Sequence, residues 1–225
     1  MLPPMLLPGA ADHPAADILA GLDVPRVPQQ ARSRQKRDAI LAAAAHLFEE
    51  RGYEATTADD IAAAAGVSIG TFYSYFRNKR QVFITLAAGC IESILSLGIA
   101  DLEIGTDVRQ TIRATVEQAM QRDPLFYGMR RAWAELRPRD PEVAAFDQQI
   151  NQMVYSQIVT AARRAAAQGR IWPDLDIEAT CWAITLLLDR AWQTEPKPGE
   201  ASPEQISRQR HAIADLIYHA LFKAL

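Results

Sequence analysis

The 225 residues include only two cysteines, Cys90 and Cys181. They stand far apart, each inside an apolar helical pattern, which argues against a disulfide framework or a cysteine metal site and for reduced core thiols. Long hydrophobic runs are also missing. The longest, Cys181 to Leu188, is interrupted by Thr185 and falls far short of the ~18 residues that a membrane span needs. The N-terminal stretch MLPPMLLPGAADHPAADILAGL has no basic flank and carries Pro3, Pro4 and Pro8 within its apolar part, unlike a secretory signal, so a cytoplasmic location is expected. Recognisable catalytic spacings are absent: the chain has no Walker loop, GxGxxG, GxSxG, HExxH or CxxC, and His13, His46, His211 and His219 are scattered. These absences point away from an enzyme, and no metal or cofactor is expected.

What remains is an ordinary globular composition, 49% hydrophobic and 23% charged, with a formal net charge of -3. The charge is unevenly placed. Residues 31–80 hold eight basic and six acidic residues, with Arg32, Arg34, Lys36 and Arg37 at one end and Arg77, Lys79 and Arg80 at the other. Such clusters can meet a polyanion, or can be a solvated helix start and helix end.

The punctuation is helical throughout. Six of the thirteen prolines lie in residues 1–28, which reads as a mostly irregular extension with at most a short helix near Ala15 to Leu22. Asp123-Pro124, Asp140-Pro141 and Ser202-Pro203 each place a capping side chain before a proline at the first helical position. Asn78 with Gln81 and Ser202 with Gln205 have the spacing of capping boxes, and Thr57 with Asp60 is a looser version of it. Apolar residues at helical intervals supply the rest: Ile40, Leu41, Ala44, Leu47 and Phe48, then Phe83, Leu86, Cys90 and Ile94, then Val143, Phe146, Ile150, Met153 and Ile158. The prediction is an all-α fold of about nine helices, with a proline-rich extension over 1–30, a small helical domain over 31–80 and a larger helical domain over 81–225.

Between Thr57 and Phe76 a short alanine-rich helix, a turn at Gly66-Val67-Ser68 and a second short helix have helix-turn-helix spacing. With Phe72 and Phe76 pointing inward, Gly70, Thr71 and Ser74 point away, flanked by Tyr73 and Tyr75. A small, polar outer face of this kind suits the major groove, where Ser and Thr reach base edges and tyrosine hydroxyls reach phosphates.

The segment T-T-x-x-x-I-A-x-x-A-G-V-S-x-G-T-F-Y-x-Y-F-x-N-K-x-x-V-F, Thr56 to Phe83, strongly resembles the DNA-binding domain of the tetracycline-repressor (TetR) family. The resemblance is firm over about 34–84. Beyond it, W-x-E at Trp133 to Glu135, D-P-E at Asp140 to Glu142 and Pro173-Asp174-Leu175-Asp176 are similar to common features of the family's C-terminal domains. It implies a homodimeric regulator that is released from a palindromic operator by a small apolar or amphipathic effector. Carried onto this chain, it puts Thr57 and Lys79 on phosphates, Ser68, Ile69, Gly70 and Thr71 at the groove, Tyr73 and Tyr75 on the backbone, and Arg32, Arg34 and Lys36 in a basic arm; Ser74 joins the groove face by periodicity. The alternative is a DNA-binding regulator controlled by a protein partner, without a small ligand.

The helix Ile177 to Gln193 is apolar around nearly its whole circumference. Ile177, Cys181, Ile184, Leu188 and Ala191 form one stripe, while Trp182, Leu186 and Trp192 lie on other sides; one face can pack internally and another against a second subunit. Large adaptable side chains at Phe83, Cys90, Phe126, Tyr127, Met129, Trp133, Met153, Tyr155 and Trp182 are the candidates for lining an effector cavity, and each can equally serve the core. Arg130, Arg131 and Glu135 can orient a polar group on such a ligand, or form a solvated i,i+4 pair at 131 and 135.

Overall fold

The computed structural model describes residues 23–101, 107–120, 124–196 and 199–223. Most of the 1–30 extension, including the possible helix near Ala15 to Leu22, lies outside the described residues, as does the capping residue Asp123. Among the described residues the architecture is all-α, with nine α-helices: α1 Ala31–Arg51, α2 Ala58–Ala64, α3 Ile69–Tyr75, α4 Lys79–Leu95, α5 Val108–Met120, α6 Pro124–Leu136, α7 Pro141–Ala167, α8 Ile177–Thr194 and α9 Pro203–Leu221. None of them is long and apolar enough to cross a membrane.

The caps are local chemistry. Thr57 accepts from the Asp60 amide while Asp60 accepts from the Thr57 amide, and Ser202 and Gln205 repeat this reciprocal pair at α9. Asp140 accepts from the amides of Glu142 and Val143 ahead of α7. At α4 the Asn78 side chain accepts from the Gln81 amide, and Gln81 in turn accepts from the Arg77 amide. Two caps that sequence spacing did not single out are Asp107 before α5 and Asp176 before α8. Gly66, at φ 66, makes the left-handed turn between α2 and α3 that a side chain would strain.

The chain divides into two compact units. One comprises the described residues within Met1–Glu92 and Arg122–Gln148, the other those within Ser93–Gln121 and Gln149–Leu225. The first unit is larger than the segment 31–80 that carries the DNA-binding motif, because α6 packs along α1. Their crossing is very close at Gly128: a Cβ there would lie 1.8 Å from the Ala45 carbonyl oxygen. Around the crossing runs a row of aromatic rings, Phe48, Tyr53, Phe83, Trp133 and Phe146, with successive centroids 5.3, 5.9, 5.8 and 5.6 Å apart. The Trp133 indole N–H donates to Asp147 at 2.8 Å, so the ring is satisfied where it is buried.

In the second unit α9 packs on α5, and the core gathers Val116 and Met120 of α5, Ile158, Val159 and Ala162 of α7, Cys181 and Ile184 of α8, and Ile217 and Leu221 of α9. Burial pushes the Cys181 thiol up to about 11, so it stays protonated at neutral pH. Arg210 donates to Glu195 and Glu117 at 2.8 and 2.7 Å and to the Met120 carbonyl, tying α9 to the end of α5. Arg109 and Arg113 both grip Asp215, whose carboxyl they hold far below its ordinary range.

The Gly128 crossing yields a direct test. Gly128→Ala is expected to force α6 off α1 and to lower stability by about 1 to 3 kcal/mol, as overpacking does, although alanine favours helices. Chemical denaturation measures it, and unchanged or increased stability would show that the crossing is not tight in solution.

Candidate nucleic-acid interface

The helix-turn-helix is built from its caps outward. The Ser68 hydroxyl accepts from the Thr71 amide and shares a 2.9 Å hydrogen bond with the Thr71 hydroxyl, which fixes both side chains at the start of α3. Phe72 is fully buried, and Phe76, just past the helix, packs on it at 6.1 Å. That anchoring leaves Ile69, Gly70, Tyr73 and Ser74 exposed, with Thr71 and Tyr75 half-buried. The sequence-expected outer face is therefore largely present, with Thr71 turned further in than expected and bonded to Ser68. Ser74 also spends its hydroxyl locally, donating to the Thr71 carbonyl at 2.6 Å.

Gly70 is the informative residue on this face. It is a glycine within a helix, a position that costs roughly 0.5 to 1 kcal/mol relative to alanine. Nothing among the described residues requires it, since a Cβ there would meet only the Ser68 hydroxyl at 4.0 Å. A side chain is missing where another molecule can approach the backbone.

Thr57 is exposed and bonds to Asp60 within the α2 cap. Hydrogen bonds from the Thr57 hydroxyl and amide hold the Asp60 carboxyl below its ordinary range. A group depressed in the folded state contributes stability above its unfolded pKa and loses it as pH falls through the folded value. Fraying of α2, read from the Thr57 amide, is therefore expected at acidic pH and not at neutral or alkaline pH.

Lys79 behaves differently from the expected phosphate contact. Its ammonium donates to the carbonyls of Tyr53, Glu54 and Thr56 at 2.8, 3.2 and 2.9 Å and lies 4.4 Å from the Tyr53 ring centre. All three N–H groups are thus engaged in holding the α1–α2 turn. The amides of the same turn are held from α6: Tyr53 and Glu54 donate to the Glu135 carboxylate at 2.8 and 3.2 Å. Arg131, which pairs with Glu135 at 3.5 Å, donates to the Glu49 and Glu50 carbonyls at the end of α1. Arg131 and Glu135 therefore clamp the turn in addition to pairing with each other, a role that their spacing alone did not disclose. Burial pushes the Tyr53 hydroxyl up to about 12.

Arg32, Arg34 and Lys36 are not an arm; they occupy the first turns of α1. Arg32 and Arg34 are exposed and Lys36 half-buried. At about 100° per residue Arg32 and Lys36 share a side and Arg34 lies elsewhere, so the three do not present one face. The first turn holds no acidic residue to offset the helix dipole, leaving positive charge at a positive helix end that an external anion would relieve. Arg37 is turned inward, only 2% exposed, with Asp38 at 3.6 Å and Glu92 beside it; burial raises the Glu92 carboxyl. It is not part of a basic surface. Arg77 is exposed and pairs with Asp23, at the described end of the extension.

The effector candidates scatter. Phe83 and Trp133 belong to the aromatic row of the first unit, where Phe126, Tyr127 and Met129 are also buried and Cys90 half-buried. In the second unit Met153 is buried and Tyr155 packs against the core, but two residues apart they face different sides of α7. Trp182 is 60% exposed on the outer side of α8. Among the described residues no group of three or more His, Cys, Asp or Glu is placed to hold a metal ion.

Residues 40–86 match the family described as "Bacterial regulatory proteins, tetR family". The HTH-type transcriptional repressor KstR2 of Mycolicibacterium smegmatis is 28% identical over 199 residues, 84% of this chain and 92% of that protein. The HTH-type transcriptional activator FasR of the same organism is 35% identical over 83 residues, 37% of this chain and 38% of its own length. Among solved structures, the ketosteroid transcriptional regulator KstR2 of Mycobacterium tuberculosis has a TM-score of 0.62 at 21% identity, over 88% of this chain and all of that one.

Two substitutions separate surface from scaffold. Gly70→Ala is expected to raise thermal stability slightly while weakening duplex binding, an opposition that no loss of folding could mimic. Lys79→Met strands three carbonyls and is expected to lower stability by roughly 1 to 3 kcal/mol. If it instead leaves stability alone and reduces the slope of log affinity against log salt by about one, Lys79 is a phosphate ligand after all.

Proposed function

The chain belongs to the tetR family of bacterial regulatory proteins, and from that premise we propose that it is a homodimeric repressor that leaves its operator when a small apolar or amphipathic effector binds. The observation that carries the reading is α3, held by Phe72 and Phe76 and presenting an exposed face open at Gly70. One such helix reads only a few base pairs. Two of them, on half-sites roughly 34 to 36 Å apart in successive major grooves, give a usable sequence length, so the operator is a near-palindrome. The repressor sense follows the name of KstR2, a relative matched over 84% of the chain.

Dimerisation is proposed on the outer sides of α8 and α9. The stripe Ile177, Cys181, Ile184, Leu188 and Ala191 packs into its own unit's core, as does Ile217. What remains outside is large and apolar: Trp182 at 60%, Leu186 at 49% and Leu216 at 59% exposure. An apolar set of this kind suits an isologous interface, because water contact with it is unfavourable and a second copy removes that contact. Leu186→Glu with Leu216→Glu is expected to leave the monomer's stability within about 0.5 kcal/mol and to give monomers in sedimentation that no longer bind the operator. A double variant that still sediments as a dimer would place the interface elsewhere.

Release of DNA is proposed to run through α6. Phe126, Tyr127 and Met129 lie on the same helix as Arg131 and Glu135, which hold the end of α1 and the turn into α2. A shift of α6 on effector binding pulls the turn that leads into the helix-turn-helix. The effector's differential affinity for the two arrangements sets the response, typically 1 to 3 kcal/mol, or about 5-fold to 150-fold in DNA affinity. Mapping the DNA bound by the protein in bacterial cells tests the reading: discrete sites centred on an inverted repeat are expected, and uniform coverage without a shared repeat would contradict it.

A further inference from the structure

Gln157 is 6% exposed, and among the described residues neither its amide oxygen nor its amide nitrogen has a hydrogen-bond partner. It lies near the middle of α7, one turn after buried Met153. Met153 is not among the apolar core residues of the second unit, to which α7 gives Ile158, Val159, Ala162 and Ala165, and at about 100° per residue Met153 and Gln157 lie on the side of the helix away from those four. The hydroxyls on the adjoining turns are exposed and engaged with their own helix, Ser156 with the Met153 carbonyl and Thr160 with the Ser156 carbonyl. An amide buried with both ends unsatisfied carries a cost that a leucine or methionine at the same place would not. A lone water is a poor remedy, since buried waters are held by about three polar groups.

We propose that Gln157 is the polar anchor of the effector site, and that it selects an uncharged head presenting an acceptor and a donor side by side, as in a carboxamide, a lactam or an un-ionised carboxylic acid on a lipophilic body. Such a head pairs with the glutamine amide through two parallel hydrogen bonds, Nε2–H to the ligand carbonyl and the ligand N–H or O–H to Oε1. Neutral chemistry is favoured because, among the described residues, no ionised side chain hydrogen-bonds to either amide atom to balance a charge. Met153 supplies a flexible apolar wall beside it. The inference rests on the effector-responsive reading above and adds to it the chemical class of the ligand.

The test uses the full chain and its Gln157→Leu variant, titrated calorimetrically with ω-phenylalkanamides of two to six chain carbons, the matching alkylbenzenes and the matching carboxylates at neutral pH. Without ligand, Gln157→Leu is expected to melt a few degrees higher than the wild type. At least one amide is expected to bind the wild type and to lose about tenfold or more in the variant, while the alkylbenzenes bind both alike and the carboxylates bind neither better than the amides. Amide affinities that are equal in the two proteins, or a variant that melts lower, overturn the anchor and leave the effector reading standing. If neither amides nor alkylbenzenes bind either protein while both still bind DNA, the effector reading itself fails, and the anchor with it.

Discussion

The turn between α1 and α2 is the point on which the first unit depends. Its backbone amides reach the Glu135 carboxylate and its carbonyls reach the Lys79 ammonium, so a positive and a negative group from two different helices grip the same turn, and the Tyr53–Glu54 peptide unit is held at both its polar ends. The close crossing of α1 and α6 at Ala45 and Gly128 makes the first grip possible. With the turn fixed, the capping box at Thr57 starts α2 in a defined direction, Gly66 turns the chain, and Phe72 sets which face of α3 is outside. Sequence recognition by a short helix requires this chain of constraints, because a helix free to roll would present no constant face to a groove.

The same arrangement explains why an effector has something to move. In the proposed release, α6 carries buried aromatic and methionine side chains at one end of its sequence and the backbone clamp at the other, so a displacement of the first would reach the second without any special pathway, since packed interiors shift as units. Two of the three chain connections between the units run within helices, α4 and α7, each of which contributes residues to both.

Much of this was legible in the sequence, and the reasons differ by element. Helix number, most starts and the inward direction of Phe72 and Phe76 followed from caps and periodicity, which are local properties. The role of Lys79 was not legible, because a lysine beside a helix-turn-helix reads as a phosphate ligand until the carbonyls of Tyr53, Glu54 and Thr56 are seen around it. Glu135 and Arg131 read as an i,i+4 pair, and that pair exists; their partners lie about eighty residues away, where no spacing rule reaches. Arg37 looked like part of a basic cluster because burial is invisible in composition. Gln157 left a faint signal: the apolar row Phe146, Ile150, Met153 passes through position 157 at helical spacing, and a glutamine interrupts it. On α8 the periodic stripe proved to be the inward one, leaving Trp182 and Leu186 as the exposed apolar side chains.

Amide hydrogen exchange in the wild type and in Glu135→Ala, read alongside operator affinity, tests the central role of the clamp most directly. If the clamp sets the recognition helix, removing the carboxylate speeds exchange at Tyr53 and Glu54, spreads the increase through α2 and α3, and weakens operator binding in the same protein. Faster exchange confined to Tyr53 and Glu54, with operator affinity unchanged, would show that α3 holds its position without α6 and would contradict the account.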